Sequence, residues 1–118
     1  MARVLVIDDS SFMREQIKTI LIELDHKVVG EAQNGKEAIN QYKIVKPDLT
    51  IMDIVMPEMT GIEAVKGIRE YNSDAKIIMC SSMGQKNMVV EAIKAGAIDF
   101  VIKPFNIERF KEAIMKVI

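Results

Sequence analysis

Apolar residues along this chain come in two alternating rhythms. Residues 3–7, Arg-Val-Leu-Val-Ile, read as a continuous apolar run, the pattern of a strand covered on both faces. Met13, Ile17, Ile20, Leu21 and Leu24 then recur at helical spacing, which predicts an amphipathic helix over 11–25 with a serine near its N-cap. The same couple repeats. Residues 27–32 predict a weaker strand, interrupted by Gly30 and ending in a charge as an edge strand would. Asn34-Gly35-Lys36-Glu37 opens a helix whose Ala38, Tyr42 and Val45 share a face, with Glu37 placed to reach back toward the cap and Pro47 as the stop.

Leu49, Ile51 and Met52 predict a buried strand that ends on Asp53 and breaks into a loop punctuated by Pro57 and Gly61. Thr60-Gly61-Ile62-Glu63 has capping-box spacing, and Ala64, Val65 and Ile68 carry a helix to about Tyr71. Gly67 lies inside that helix at a cost of about 1 kcal/mol relative to Ala, with no reason visible in the sequence. Residues 76–80 predict a fourth strand, and Met88, Ala92 and Ala95 a helix stopped by Gly96. Residues 98–102 predict a fifth strand, and Asn106 caps a last helix with Ile107, Phe110, Ile114 and Val117 facing inward. Strands alternating with helices through short turns indicate an α/β protein, a doubly wound five-stranded parallel sheet with right-handed crossovers.

Composition narrows the class. A chain of 118 residues suits a single domain over 1–118, and 49% hydrophobic with 28% charged residues is ordinary for a globular protein. No apolar run reaches the roughly 18 residues of a membrane span, and no secretory leader precedes Arg3, so a cytoplasmic location is expected. A net charge of −1 gives no electrostatic case for nucleic acid. Cys80 reads as a buried, inert thiol in an apolar run, and His26 as an exposed loop residue without metal-binding company.

In a parallel sheet every strand-to-helix loop lies on one edge, where doubly wound folds bind ligands. Asp8 and Asp9, Asp53, Ser81 and Lys103 close the first, third, fourth and fifth strands, so they converge there. Asp8 and Asp9 alone could simply favour a helix N-terminus; acids, hydroxyl and ammonium arriving from four strands argue for chemistry. Carboxylates about 5 Å apart repel by roughly 3 kcal/mol per pair at an effective dielectric near 20, more than one lysine neutralises. Oxygen-only donors select a hard divalent cation, and a small open cluster suits Mg²⁺. Mg²⁺ beside an ammonium and a hydroxyl meets the needs of an incoming phosphoryl group, with Asp53 as nucleophile facing both the metal and Lys103.

At these residues the chain resembles the response-regulator receiver domains of two-component signalling, and its single-domain chemotaxis members most. The matching motifs are Asp8-Asp9, Asp53 with Met56-Pro57 and Gly61, Ser81, and Lys103-Pro104-Phe105. The resemblance implies a flavodoxin-like, three-layer αβα fold with strand order 2-1-3-4-5. It implies that Asp53 accepts phosphoryl from a phosphohistidine on a sensor histidine kinase. Asp8, Asp9, Asp53 and the Val55 carbonyl would hold Mg²⁺, Lys103 and the Ser81 hydroxyl would bind the phosphoryl oxygens, and the peptide before Pro104 would be cis.

The resemblance also implies a switch in which Ser81 moves toward the phosphoryl group and Phe100 turns inward; Phe100 reads equally as a core aromatic. Val55 and Met83 would flank the water that hydrolyses the acyl phosphate. Met56, Met59 and Met83 are either gap fillers or partner-facing. With no effector domain expected after Ile118, output would come from docking a motor switch or adaptor protein through the fourth helix, fifth strand and fifth helix. The protein is expected to be a monomer that phosphorylates and dephosphorylates itself but turns over no substrate; the alternative is a stand-alone receiver in a non-chemotaxis phosphorelay. A hydrolytic aspartyl phosphotransferase would want an acid where Val55 stands, and a flavodoxin-like cofactor binder a Ser/Thr/Gly-rich loop where Asp8 and Asp9 stand. An interaction domain independent of phosphorylation would not need the acidic set.

Overall fold

The computed structural model describes residues 1–82, 86–103 and 106–118. Strands and helices alternate throughout: β1 (Arg3–Ile7), α1 (Ser11–Glu23), β2 (Lys27–Ala32), α2 (Gly35–Val45), β3 (Leu49–Asp53), α3 (Gly61–Tyr71), β4 (Ile77–Ser81), α4 (Lys86–Ala95), β5 (Asp99–Ile102) and α5 (Ile107–Val117). The strands form one parallel sheet in the order β2-β1-β3-β4-β5, so β2 is an edge strand as its composition predicts. Its pairing with β1 slips by one residue between Val4 and Leu5, next to Gly30.

Side chains alternate across the strands and divide the core into two layers. Val4, Val6, Leu49, Ile51, Ile78 and Val101 pack against Ile17, Ile20 and Leu21 of α1 and Phe110, Ala113 and Ile114 of α5. Leu5, Ile7, Met52, Ile77, Met79 and Phe100 pack against Ala38 and Tyr42 of α2, Ala64, Val65 and Ile68 of α3, and Ala92 of α4. Continuous apolar strands are therefore required, since both faces are covered.

Local signals fix the helix starts. Ser10, Asn34, Thr60 and Asn106 each accept a hydrogen bond from the backbone N–H three residues on. Glu37 meets the Asn34 side-chain amide at 3.0 Å, and Glu63 the Thr60 hydroxyl at 3.3 Å. α2 ends when Lys46 turns left-handed at φ 45°, one residue before Pro47.

The structure corrects two readings and supplies a reason that the sequence did not show. Ile107 does not face inward; it is 50% exposed, because the turn begins at the surface before α5 settles on the sheet. His26 is half-buried and its Nδ1 accepts the Ala2 N–H at 3.0 Å, tying the α1–β2 turn to the start of β1. Gly67 has a packing reason: a Cβ there would lie 2.6 Å from Ile39 Cδ1, so its absence lets α3 approach α2.

Thr50 lies in the buried middle of the sheet, and its hydroxyl has no hydrogen-bond partner among the described residues. A buried unsatisfied hydroxyl costs free energy that an apolar group of the same shape does not. Thr50→Val is expected to stabilise the fold by about 1 kcal/mol. Chemical denaturation checks it; a lower midpoint would show that the hydroxyl is satisfied.

Candidate functional site

Strand register builds the site. Ile7 lies opposite Met52, Asp53 opposite Cys80, and Ser81 opposite Ile102. The residues at the strand ends, Asp8, Asp53, Ser81 and Lys103, therefore meet at one carboxyl edge. Lys103 is pinned there by its backbone N–H, which donates to the Ser81 carbonyl at 2.9 Å.

Asp8, Asp9 and Asp53 each offer a carboxylate oxygen, and these atoms lie within 4.8 Å of one another. Asp8 and Asp53 are buried, and Asp9 is exposed. Lys103 Nζ is 2.6 Å from Asp8 Oδ2 and 3.6 Å from Asp53 Oδ2. The expectation that Asp53 faces both the metal and Lys103 takes one correction, since a second metal-facing acid lies nearer the lysine: the ammonium sits on Asp8, whose other oxygen accepts the Ser10 N–H at 2.9 Å.

Burial is the main force raising the Asp53 carboxyl above its usual range; Asp8 adds to it, while Lys103 and the backbone N–H groups of Val55 and Ile54 oppose it. Burial alone would lower the Lys103 ammonium, but its hydrogen bond to Asp8 and the charges of Asp53 and Asp8 hold it above its ordinary value. The edge is short of positive charge. All-oxygen donors converging on one point fit a hard divalent cation, with Asp8, Asp9 and Asp53 as the residues that could hold it. Cys80, buried beneath, takes no part, for burial pushes its thiol up and away from thiolate chemistry.

The loop after β3 is shaped tightly. Gly61 N–H donates to the Ile54 carbonyl at 2.7 Å, and a Cβ on Gly61 would collide with the Asp53 carbonyl oxygen and approach Ile54 Cα at 2.8 Å. Only glycine lets α3 begin so close to the acid-bearing strand end. Glu58, at φ 69° between a Met59 N–H and a Pro57 carbonyl 2.8 Å apart, makes a strained three-residue turn.

Other predicted residues fall as follows. Ser81 is buried at the end of β4. Phe100 is 7% exposed and already packs with the α2–α3–α4 layer. The Val55 side chain is half-exposed beside the cluster, Met56 is buried, and Met59 is partly buried against the same layer, which makes both methionines fillers. Met83, Pro104 and Phe105 lie outside the described residues, and with them the cis peptide. Sequence reasoning missed Arg14, whose Nη1 donates to the Asp8 carbonyl at 2.6 Å. Its partners come from another strand and from a main-chain oxygen, which helical periodicity does not reveal.

A raised carboxyl pKa means that the Asp53 charge costs stability. Below the ordinary carboxylate range it is protonated in both folded and unfolded chains and costs nothing. As pH rises the unfolded chain releases its proton first, so stability falls until the folded value is passed. Asp53→Asn is therefore expected to melt above wild type at pH 7 without Mg²⁺, with the difference closing near pH 3. Scanning calorimetry across pH checks it, and equal melting at pH 7 would refute it.

The chain matches the response regulator receiver domain over residues 4–115. It is 55% identical to the chemotaxis protein CheY of Thermotoga maritima, over 98% of this chain and 96% of that one. It is 54% identical to CheY of Bacillus subtilis over 97% and 95%. Among solved structures, the CheX–CheY–BeF₃–Mg complex from Borrelia burgdorferi superposes with a TM-score of 0.94 at 32% identity, covering 98% of this chain and 87% of that one. On its motifs, its strand order and these similarities, the chain belongs to the response regulator receiver domain family.

Proposed function

We propose that this protein is a chemotaxis response regulator that takes a phosphoryl group onto Asp53 from a phosphohistidine of a sensor histidine kinase. The observation that carries the reading is the acidic edge itself, with carboxylate oxygens from Asp8, Asp9 and Asp53 within 4.8 Å and the Lys103 ammonium 3.6 Å from Asp53. An Asp53 oxygen attacks phosphorus while the P–N bond breaks and its electron pair returns to the imidazole. Lys103, held as an ammonium, is placed to leave Asp8 for the phosphoryl oxygens, and Ser81 at the end of β4 is the hydroxyl within the same edge. Mg²⁺, when bound at Asp8, Asp9, Asp53 and the Val55 carbonyl, neutralises charge on the transferring group.

The product is a signal rather than a released substrate. Val55 occupies the position of the acid that a hydrolytic aspartyl enzyme would use, and it is apolar. The protein, a monomer in the cytoplasm, presents the signal to a motor switch or adaptor protein on its α4–β5–α5 face. Exposed Val90 and Ile93 on α4, Ile102 at the end of β5 and Ile107 on α5 give that face the apolar surface a partner would cover. No described helix is long and apolar enough to cross a membrane.

Acetyl phosphate with Mg²⁺ is expected to label wild type on Asp53 and to leave Asp53→Asn unlabelled. Intact-mass and peptide mapping read this out, and a label persisting in Asp53→Asn refutes the acceptor assignment. The Val55 side chain, 50% exposed beside the acceptor, cannot hydrogen-bond an attacking water into line. Val55→Asn is expected to speed decay of the phosphorylated protein at least about threefold, worth ~0.7 kcal/mol of barrier. An unchanged decay rate would show that Val55 does not govern that water.

A further inference from the structure

Asp9 is the one acid of the cluster whose side chain no described residue holds. It is exposed and makes no hydrogen bond or ion pair among the described residues. Asp8 is tied at four points: its N–H donates to the Ala32 carbonyl at 3.1 Å, its carboxylate accepts from Ser10 N–H and Lys103 Nζ, and its carbonyl accepts from Arg14. That carbonyl shares a rigid planar peptide with the Asp9 nitrogen. Whatever fixes the oxygen fixes the direction in which Asp9 leaves Asp8.

Arg14 is built to fix it. Its side chain is 17% exposed, and its planar guanidinium works in two directions, Nη1 to the Asp8 carbonyl at 2.6 Å and Nε to Glu31 Oε1 at 3.0 Å. Glu31 sits on β2 directly before Ala32, the residue that receives the Asp8 N–H, and its other oxygen is held by Lys18 at 3.0 Å. The brace therefore runs from the edge strand through Arg14 to the peptide between the two metal-facing acids. Arg14 and Lys18 balance Glu31 and Glu15, which Lys18 also meets at 2.6 Å, so the group adds no net charge to the site.

We infer that Arg14 is a positioning residue for the metal site, orienting the Asp8–Asp9 peptide so that the otherwise unheld Asp9 carboxylate points at the cation. The inference rests on the reading of Asp8, Asp9 and Asp53 as the Mg²⁺ ligands. Three roles for Arg14 predict different outcomes. A purely electrostatic Arg14 repels Mg²⁺, so its removal leaves binding equal or tighter. A purely structural one changes the melting temperature and not the affinity. A positioning one weakens binding although a cation has been removed, as outer-shell partners of metal ligands do.

The test is an NMR titration with Mg²⁺ at fixed ionic strength, well below the melting temperature, on wild type, Arg14→Met and Arg14→Lys. Lysine keeps the charge but not the rigid fork that serves Glu31 and the carbonyl together. Mg²⁺ is expected to bind at least threefold more weakly to both variants, with the Asp9 amide resonance displaced in both before metal is added. Equal or tighter binding by Arg14→Met, or wild-type affinity in Arg14→Lys, overturns the inference, as does a lowered melting temperature with unchanged affinity. Should Arg14→Met fail to fold, the lysine variant decides alone. Wild type that binds no Mg²⁺ overturns the metal reading itself, and this inference with it.

Discussion

Parallel strands point one way, so the residues that close them arrive at a common edge whether or not their charges agree. Here the edge collects three carboxylates and, among the described residues, one ammonium within ion-pair distance. The Coulomb cost of neighbouring carboxylates is roughly 3 kcal/mol per pair at an effective dielectric near 20, and burial of Asp8 and Asp53 keeps water from screening it away. The covered sheet is what can bear that cost. Strands packed on both faces leave the strand ends no freedom to splay, and the collision that any Cβ at Gly61 would make with the Asp53 carbonyl shows how little slack the edge retains.

The fold and the acids were legible in the sequence for one reason: the information is local. Each apolar run that ends in a polar residue announces a strand end, and Ser10, Asn34, Thr60 and Asn106 announce helix starts through hydrogen bonds spanning three residues. What could not be read depends on pairs far apart in the chain. Gly67 answers to Ile39 on another helix, His26 to the amide of Ala2, and Arg14 to Glu31 and to a backbone oxygen. Ile107 was misread for a different reason. Its spacing from Phe110 and Ile114 is right for one face, but a helix docks obliquely, and its first turn stays in solvent while the later turns are buried.

Lys103 illustrates the gap between placing a residue and knowing its partner. Its position after β5 brings it to the acids, yet the 2.6 Å contact goes to Asp8 and the 3.6 Å one to Asp53. The closer pairing leaves Asp53 the less compensated carboxylate, consistent with its upward pKa shift. Asp53 therefore combines two properties that seldom coincide: it is nearly buried, and its negative charge is poorly satisfied. A carboxylate in that state gains more from a cation drawn to the edge, or from conversion to an acyl phosphate, a mixed anhydride whose charge lies further out, than a well-paired carboxylate does.

The same imbalance links the site to the rest of the domain. If Asp53 takes the phosphoryl group proposed above, that group carries more negative charge than the carboxylate oxygen it modifies, and the ammonium that now sits on Asp8 gains a stronger partner to move to. The Lys103 main chain cannot shift alone: its N–H is bonded to the Ser81 carbonyl, and Ser81 pairs in register with Ile102 at the end of β5. Any shift of the Lys103 main chain therefore loads the last pair of the β4–β5 ladder. Phe100 lies on that strand, two residues from Ile102, in contact with the layer that includes α4. Phe100 is already buried, so a change there need not begin with an aromatic ring entering the core. It can begin with the backbone of β5 yielding to the lysine, and the exposed side chains of Ile102 and Ile107, which flank that strand end, are the surface that would register the displacement.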